Sequence, residues 1–392
     1  MGKIVNFFRR PFWSDYRVLF GVWTLIGIIS ALLKMHHCNN FLVYSGTFWH
    51  TIEQLPLYAE YPMEYSDVSH YGPIFGLLIA PFAACPLWLG LLLWNVALAV
   101  GLWWALRTMP MDKRGHIFVY WFTANELFTA LAMQQFNVAT VALICASFCC
   151  IERGRDFWSA LFIALGTFVK IYGIVGLAFF FFSRHKMRLV LSLLFWSAVL
   201  FVLPMLISSP EYVINQYGAW AADILEKNGN NAFSTHQNIS LLGMVRKISG
   251  VAAYSDLWLM LPGMLLFCLP YLRIAQWRNV DFRYAFLASV LMFVVLFSSG
   301  SESSSYIIAL VGVSFWDCMV PWQRSKVDVA LMVFAFGLTS LSPTDIIPPY
   351  VRNEIVRPYA LKALPIALIW LKLIYEMLTR DYTQSKRVSA SQ

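Results

Sequence analysis

Residues 35 to 73 carry four carboxylates (Glu53, Glu60, Glu64, Asp67) and four histidines (His36, His37, His50, His70), with no Lys or Arg. So many titratable groups on one connection mark a place where protons can be taken and given. A second chemical signal is Lys170, an ammonium inside the apolar stretch Gly166-Thr-Phe-Val-Lys-Ile-Tyr-Gly173. A charge at membrane depth costs on the order of 3 kcal/mol, which makes it a functional candidate unless it snorkels from a helix end. A lipid phosphate would be its natural partner, because an ammonium and a diffuse anion compensate each other where water is scarce.

The elements that must position these groups are membrane helices. Of 392 residues, 59% are hydrophobic and only 13% charged, far below the roughly 25% charged residues that a soluble globule uses. Mean hydropathy is +0.62, and the 16 Trp suit the headgroup levels of many short crossings. The expected fold is therefore an all-α polytopic membrane protein. The basic start (Lys3, Arg9, Arg10, Arg17) leads into the apolar run from Val18 to Leu33 with no small-residue cleavage site, so that run is expected to stay as an anchoring first crossing. The net charge of +8 does not point to nucleic acid, since Lys and Arg gather in short connections and tails as the positive-inside rule requires. Five of the seven cysteines (Cys85, Cys145, Cys149, Cys268, Cys318) lie in or beside apolar runs. Neither a disulfide framework nor a Cys-based metal site is indicated.

Charge sets the expected orientation. Arg184, Lys186 and Arg188 form one basic cluster, Arg273, Arg278 and Arg283 another, Arg324 and Lys326 a third, and Arg380, Lys386 and Arg387 close the tail. These and both termini are expected in the cytoplasm of a plasma (bacterial inner) membrane protein. Crossings follow near residues 188 to 207, 254 to 271, 283 to 298, 305 to 320, 327 to 342 and 362 to 378, and the outward connections are 208 to 253, 299 to 304 and 343 to 361. The stretches 74 to 106 and 157 to 182 exceed the roughly 20 residues of one crossing without reaching two. With Lys113, Arg114, Arg153 and Arg155 cytoplasmic, 74 to 84 becomes a short helix dipping in from outside before a crossing at 87 to 106. Likewise 157 to 169 and 171 to 182 become a broken hairpin with an outward turn. About twelve plain crossings are the alternative, which puts both basic pairs outside. The domain organisation is then one integral membrane domain, residues 1 to 392, with a first extracytoplasmic loop at 35 to 73, a second at 208 to 253 and a cytoplasmic tail at 379 to 392 that reads as a disordered anchor. The acidic loop, Gln134, Gln135, Asn137, Lys170 and the second loop would face one extracytoplasmic cavity.

On this hydropathy profile several segments resemble glycosyltransferase family 87, the polyprenyl-phosphate-sugar-dependent enzymes of GT-C architecture. Tyr71-Gly-Pro-Ile-Phe-Gly-Leu-Leu-Ile-Ala-Pro-Phe82 looks like the family's Tyr-Pro-Pro segment, and Gln135-Phe-Asn137 like its Gly-Gln-x-Asn. Lys170-Ile-Tyr resembles its Lys-x-x-Pro region, and Gln237-Asn-Ile-Ser-Leu-Leu-Gly-Met-Val-Arg246 its Asn-Gln-Ser-Leu loop ending in Arg. The likeness runs from about residue 18 to 378, in a bundle of about 10 to 12 transmembrane helices with extracytoplasmic loop helices. Two departures stand out. The family's acidic residue after the first helix is Asn40 here, in Asn39-Asn-Phe-Leu-Val-Tyr44, and its later Ser-x-x-Trp-x-His-His element is replaced by Ser299-Gly-Ser-Glu-Ser-Ser-Ser-Tyr306, which introduces Glu302.

The resemblance implies transfer of a hexose, mannose or a relative, from a polyprenyl-phosphate-linked donor to a glycan or glycolipid acceptor at the outer face. That chemistry needs a base for the acceptor hydroxyl and cations for the leaving phosphate. Asn40 cannot be a base, so another loop carboxylate must serve or the branch has lost activity. Asp67 is the first candidate and Glu64 the second. They lie three apart in Tyr61-Pro-Met-Glu-Tyr-Ser-Asp-Val-Ser-His70 and would share a face if that segment were helical, although either could equally be a helix cap. Glu53, three residues after His50, comes next, with a solvated face of an interfacial helix as the plainer reading. Leaving-group stabilisation would fall to Lys170, Arg246 and His236. Substrate contacts would come from Asn40, Tyr71, Gln135, Asn137, Gln237, Asn238 and Glu302.

The histidines lack ligand spacing, so no structural metal site is expected. A loosely held Mg or Mn on Asp67 or Glu64 together with a donor phosphate stays open, because magnesium often uses one or two carboxylates plus phosphate. With no nucleotide-binding Gly motif and no large soluble domain, an activated lipid is the more natural donor than a nucleotide sugar. The alternatives are a lipid or glycan transporter, for which only one broken helix rather than a repeated pair speaks, and an inactive relative of the enzymes.

Overall fold

In the computed structural model, residues 11–230, 234, 237–251 and 255–383 are described, and among them the chain is helical without strands. Asp15 caps the first long helix, α1 (Tyr16–Lys34), by accepting a hydrogen bond from the Arg17 N–H at 2.7 Å. The start of α1 lies at one end of the bundle, where the Arg107 guanidinium sits 4.3 Å over the Tyr16 ring and the Tyr16 hydroxyl meets His116 at 3.4 Å. Its far end leads into α2 (Asn39–Glu53), where Asn40 donates to the Met133 carbonyl at 2.8 Å. Helices therefore alternate between a basic end and a second end that holds residues 35 to 73.

Residues 74 to 106 open with the short helix α3 (Ile74–Ala83). Ten residues rise only about 15 Å, Pro81 interrupts it, and Pro86 precedes α4 (Leu87–Arg107). Trp94 of α4 packs against both Phe75 and Phe82, at opposite ends of α3, while its indole N–H donates to the Gln134 carbonyl at 3.1 Å. So α3 stays at the level of the second end, and α4 returns to the basic end. Next come α5 (Lys113–Ala132) and α6 (Asn137–Glu152), joined by a turn in which Gln134 adopts φ 51°.

The stretch after residue 156 is the expected broken hairpin. Helix α7 (Asp156–Val169) stops at Lys170, which is extended (φ −149°, ψ 108°), and a 3-10 helix (Ile171–Phe182) runs back. The arms touch backbone to backbone: a methyl group added to Gly173 would lie 2.2 Å from the Gly166 carbonyl carbon. Ser183 closes the open end by donating to Asp156 at 2.7 Å. At the turn, the Gly72 N–H donates to the Val169 carbonyl at 3.1 Å, which ties the acidic loop to Lys170.

The remaining elements are α8 (Lys186–Val202), α9 (Pro210–Asn230), α10 (Leu241–Ser249), α11 (Leu257–Cys268), α12 (Val280–Leu296), α13 (Tyr306–Cys318), α14 (Lys326–Phe334) and α15 (Ala363–Thr379). Several start or stop within a few residues of the boundaries that hydropathy and charge predict. The middle belongs to α12 and α13, which are buried almost throughout, whereas α8 exposes Leu191, Leu194 and Phe195. An apolar helix with an apolar outer face is at home in lipid. Among the described residues three helices, Tyr16–Lys34, Leu87–Arg107 and Lys186–Leu206, are long and apolar enough to cross a membrane, and the chain is an all-α membrane protein. The tail expected to be disordered from residue 379 is packed at its start, where Tyr382 is buried and its N–H donates to Gln276 at 3.0 Å; residues 384 to 392 lie outside the described residues.

At the second end, a buried ion pair joins α5 to the start of α15: Lys362 with Glu126, 2.9 Å apart, with side chains 4% and 0% exposed. Removing one partner of such a pair leaves an uncompensated buried charge. Lys362→Met is therefore expected to destabilise by about 3–5 kcal/mol, seen as a lower unfolding temperature in detergent. The double variant Glu126→Leu with Lys362→Met should recover most of the loss, and an unchanged temperature for the single variant would refute this role.

Candidate functional site

The site grows from Glu302, which caps the helical turn Ser303–Ser305 ahead of α13. Its side chain accepts from the Ser305 backbone N–H, while its own N–H donates to the Ser305 hydroxyl at 3.1 Å. The two carboxylate oxygens also accept from two amides, Gln135 Nε2 at 3.2 Å and Gln237 Nε2 at 3.1 Å. One amide comes from the turn between α5 and α6, the other from the segment before α10. An ionised carboxylate can only accept, so amide N–H groups are its natural neighbours.

The network continues backwards along the chain. Gln135 Oε1 accepts from the Tyr71 hydroxyl at 3.2 Å, and that hydroxyl meets Tyr44 at 2.9 Å. Asn137 at the start of α6 donates to Ser304 and Ser305 and accepts from Lys170 Nζ at 3.1 Å. The Lys170 ammonium lies 5.1 Å from the Tyr172 ring centre and 5.8 Å from that of Tyr71, close enough for cation–π attraction.

Beside Glu302 opens a cavity of about 690 Å³. Asp67, Asn40, Gln135, Gln237 and Glu302 line it, so five of the residues expected from sequence meet there. Asp67 is exposed and spends one oxygen on the Val68 N–H at 2.8 Å. Lys34, Arg352, Arg357 and Lys362 line the same cavity. Lys362 is committed to Glu126 and to the backbone and hydroxyl oxygens of Ser303, each at 3.0 Å. Lys34 and Arg357 have no carboxylate partner among the described residues, while Arg352 pairs with Asp345 at 2.7 Å.

Other expected residues lie elsewhere. The segment holding Glu64 and Asp67 is a run of turns, not a helix, and Tyr61 and Tyr65 pack around the His50 ring. The shared face is thus corrected: Glu64 pairs with His50 at 3.1 Å, and Asp67 alone reaches the cavity. Among the described residues no three of His, Cys, Asp and Glu converge on a metal position. Glu53, exposed at the end of α2, is not a cavity residue. Arg246 is buried and bonded to Asp256 at 2.7 Å. Asn238, buried with φ 51°, accepts from Ser240 and shapes the loop before α10. Tyr71, Asn137 and Lys170 stand behind the cavity wall in the network. His236 lies outside the described residues.

Sequence reasoning missed Lys34, Arg352, Arg357, Lys362 and Asp345. A signal was there. Arg352 and Arg357 sit in the connection 343 to 361, which charge parity puts outside, where basic residues contravene the positive-inside rule and need a reason.

Fold and site together define a helical membrane protein with a polar, charge-lined cavity at one end of its bundle. The sequence profile of glycosyltransferase family 87 matches residues 70–299, more than half of the chain. The chain belongs to glycosyltransferase family 87 and is a membrane glycosyltransferase. No curated protein matches it in sequence. The matched span includes Tyr71, Gln135, Asn137, Lys170, Gln237 and Arg246, but it begins after Asp67 and ends before Glu302 and the basic residues of 343 to 361.

One lysine beside the site has an unusual environment. Lys247, on α10, donates to the carbonyls of Gln237 and Asn238, and burial pulls its ammonium down to about 8, since desolvation disfavours the charged form. Because the folded value lies below the unfolded one, holding this charge costs stability below about pH 8, a cost that fades as pH rises through that value. Amine-reactive labelling of Lys247, followed by mass spectrometry, should reach half its limiting rate near pH 8. A midpoint above 10, as for an ordinary lysine, would contradict the described burial.

Proposed function

We propose that the chain moves a hexose, mannose or a relative by family analogy, from a polyprenyl-phosphate-linked donor to a lipid-linked or cell-envelope glycan acceptor at the extracytoplasmic face, and that it does so in the cavity beside Glu302. The observation that carries the reading is the pairing of Asn40 and Asp67 on one cavity. The position where the resemblance expects the acid is an amide, spent on the Met133 carbonyl, and Asp67 supplies a carboxylate to the same cavity.

In this reading Asp67 takes the proton of the acceptor hydroxyl. The acceptor oxygen bonds to the anomeric carbon as the bond from that carbon to the phosphate oxygen breaks, and polyprenyl phosphate leaves. Cations in the cavity meet the charge that develops on the phosphate, the point in the reaction where fixed charge is most effective. Glu302, oriented by Gln135 and Gln237, offers its remaining lone pairs to sugar hydroxyls. No step is routed through a metal ion. Lys170 and Arg246 support the cavity wall and the loop before α11 in this account, and the leaving phosphate is assigned to the basic residues that line the cavity.

Asp67→Asn in protein reconstituted in lipid is expected to lower sugar transfer by about 10²–10⁴-fold, the usual worth of a positioned general base, while Glu53→Gln and Glu64→Gln stay within a few-fold. Full transfer by the Asp67 variant would sink the assignment. Mass spectrometry of lipid-linked glycans from cells lacking the chain should show one missing sugar; unchanged glycans with a redistributed lipid would indicate transport instead.

A further inference from the structure

Arg352 differs from the other cations of the cavity in how it is held. One arm of its guanidinium, Nη1, donates to Asp345 at 2.7 Å, and the Asp345 side chain is 99% exposed. Its Nε is buried and has no hydrogen-bond partner among the described residues. A guanidinium presents a planar fork matched to two oxygens of one anion, and here the fork is only partly used. Lys34 and Arg357, without carboxylate partners among the described residues, line the same cavity as Arg352 and Asp345. Lys362 cannot join them, because Glu126 and Ser303 take up its ammonium.

We infer that Asp345 is a stand-in anion that holds Arg352 until the phosphate of a polyprenyl phosphate displaces it. The inference rests on the lipid-phosphate donor of the proposed function and specifies which arginine reads that phosphate. The exchange is feasible because an ion pair with so exposed a partner is worth only about 1.5- to 5-fold in an equilibrium constant, whereas a phosphate offers charge and several oxygens to the whole fork. Asp345 thereby competes with donor and with released lipid phosphate alike. It weakens both and keeps Arg352 ordered between turnovers.

The test is binding of farnesyl phosphate, a short polyprenyl monophosphate, to the purified full chain in neutral detergent. Asp345→Asn changes an exposed side chain, and a thermal melt checks that it folds. It should tighten binding by about two- to five-fold, the worth of the exposed pair, and Arg352→Gln should weaken it about tenfold or more. Adding Asp345→Asn to Arg352→Gln should then change nothing, since the competition acts only through Arg352. Inorganic phosphate should compete with the same dependence on Asp345, and farnesol should bind equally to all variants. Tightening by Asp345→Asn that persists without Arg352 would reduce the effect to general electrostatics and overturn the inference, as would unchanged affinity in either single variant. If phosphatidylglycerol nanodiscs abolish the differences, Arg352 serves bilayer headgroups and the donor assignment falls. Repeating the series in an Asp67→Asn background should give the same pattern, so the phosphate site and the proposed base can fail separately.

Discussion

The Glu302 carboxylate is the constraint on which the functional end of the molecule depends. In a bundle surrounded by lipid, water is not on hand to satisfy stray polar groups, and each must find a partner in the protein. Glu302 resolves this by accepting from amides of two separate connections and from the start of α13. Gln135 then passes the constraint to Tyr71 and Tyr44, and Asn137 passes it to Lys170. The acidic loop, the α5–α6 turn, the hairpin break and the segment before α10 are thereby fixed relative to one another. The cavity beside Glu302 is given shape because one acceptor and its donors hold these connections together.

The charges at this end divide by environment. Lys362 and Glu126 are buried and mutually committed, and Lys170 is bonded to Asn137 and flanked by tyrosine rings. These groups shape the wall. Asp67, Lys34, Arg352 and Arg357 border open space, Arg352 with one arm on the exposed Asp345. The family match takes in Glu126 and Lys170 of the wall but not Lys362, and it stops short of the groups that border the open space on both sides.

Much of the fold was legible because membrane helices obey few rules. The short dip of α3 followed from a stretch too long for one crossing and too short for two, with basic residues fixing its parity, and the break at Lys170 followed from a charge where the hydrocarbon tolerates none. The site was legible in part. Asp67, Asn40, Gln135, Gln237 and Glu302 were recognisable as polar groups beside membrane ends, and they do line one cavity. The relation of Glu64 to Asp67 was not, since the helix on which a shared face depends does not form there and the packing of Tyr61 and Tyr65 on His50 is invisible in the sequence. The basic residues of 343 to 361 were passed over for a different reason: local sequence says nothing about which connections converge, and Arg352 joins Lys34 only through the folding of the whole bundle.

The central claim is that sugar transfer takes place in the cavity beside Glu302, between Asp67 and the basic residues. The most direct measurement is a cryo-EM map of the chain in nanodiscs with a non-transferable polyprenyl phosphonate sugar. The account predicts the sugar in the cavity, its anomeric carbon on the side of Asp67 and the phosphonate against Arg352, Lys34 or Arg357. A lipid-linked sugar bound elsewhere, with the phosphonate on Arg246 or the sugar remote from Asp67, would contradict it.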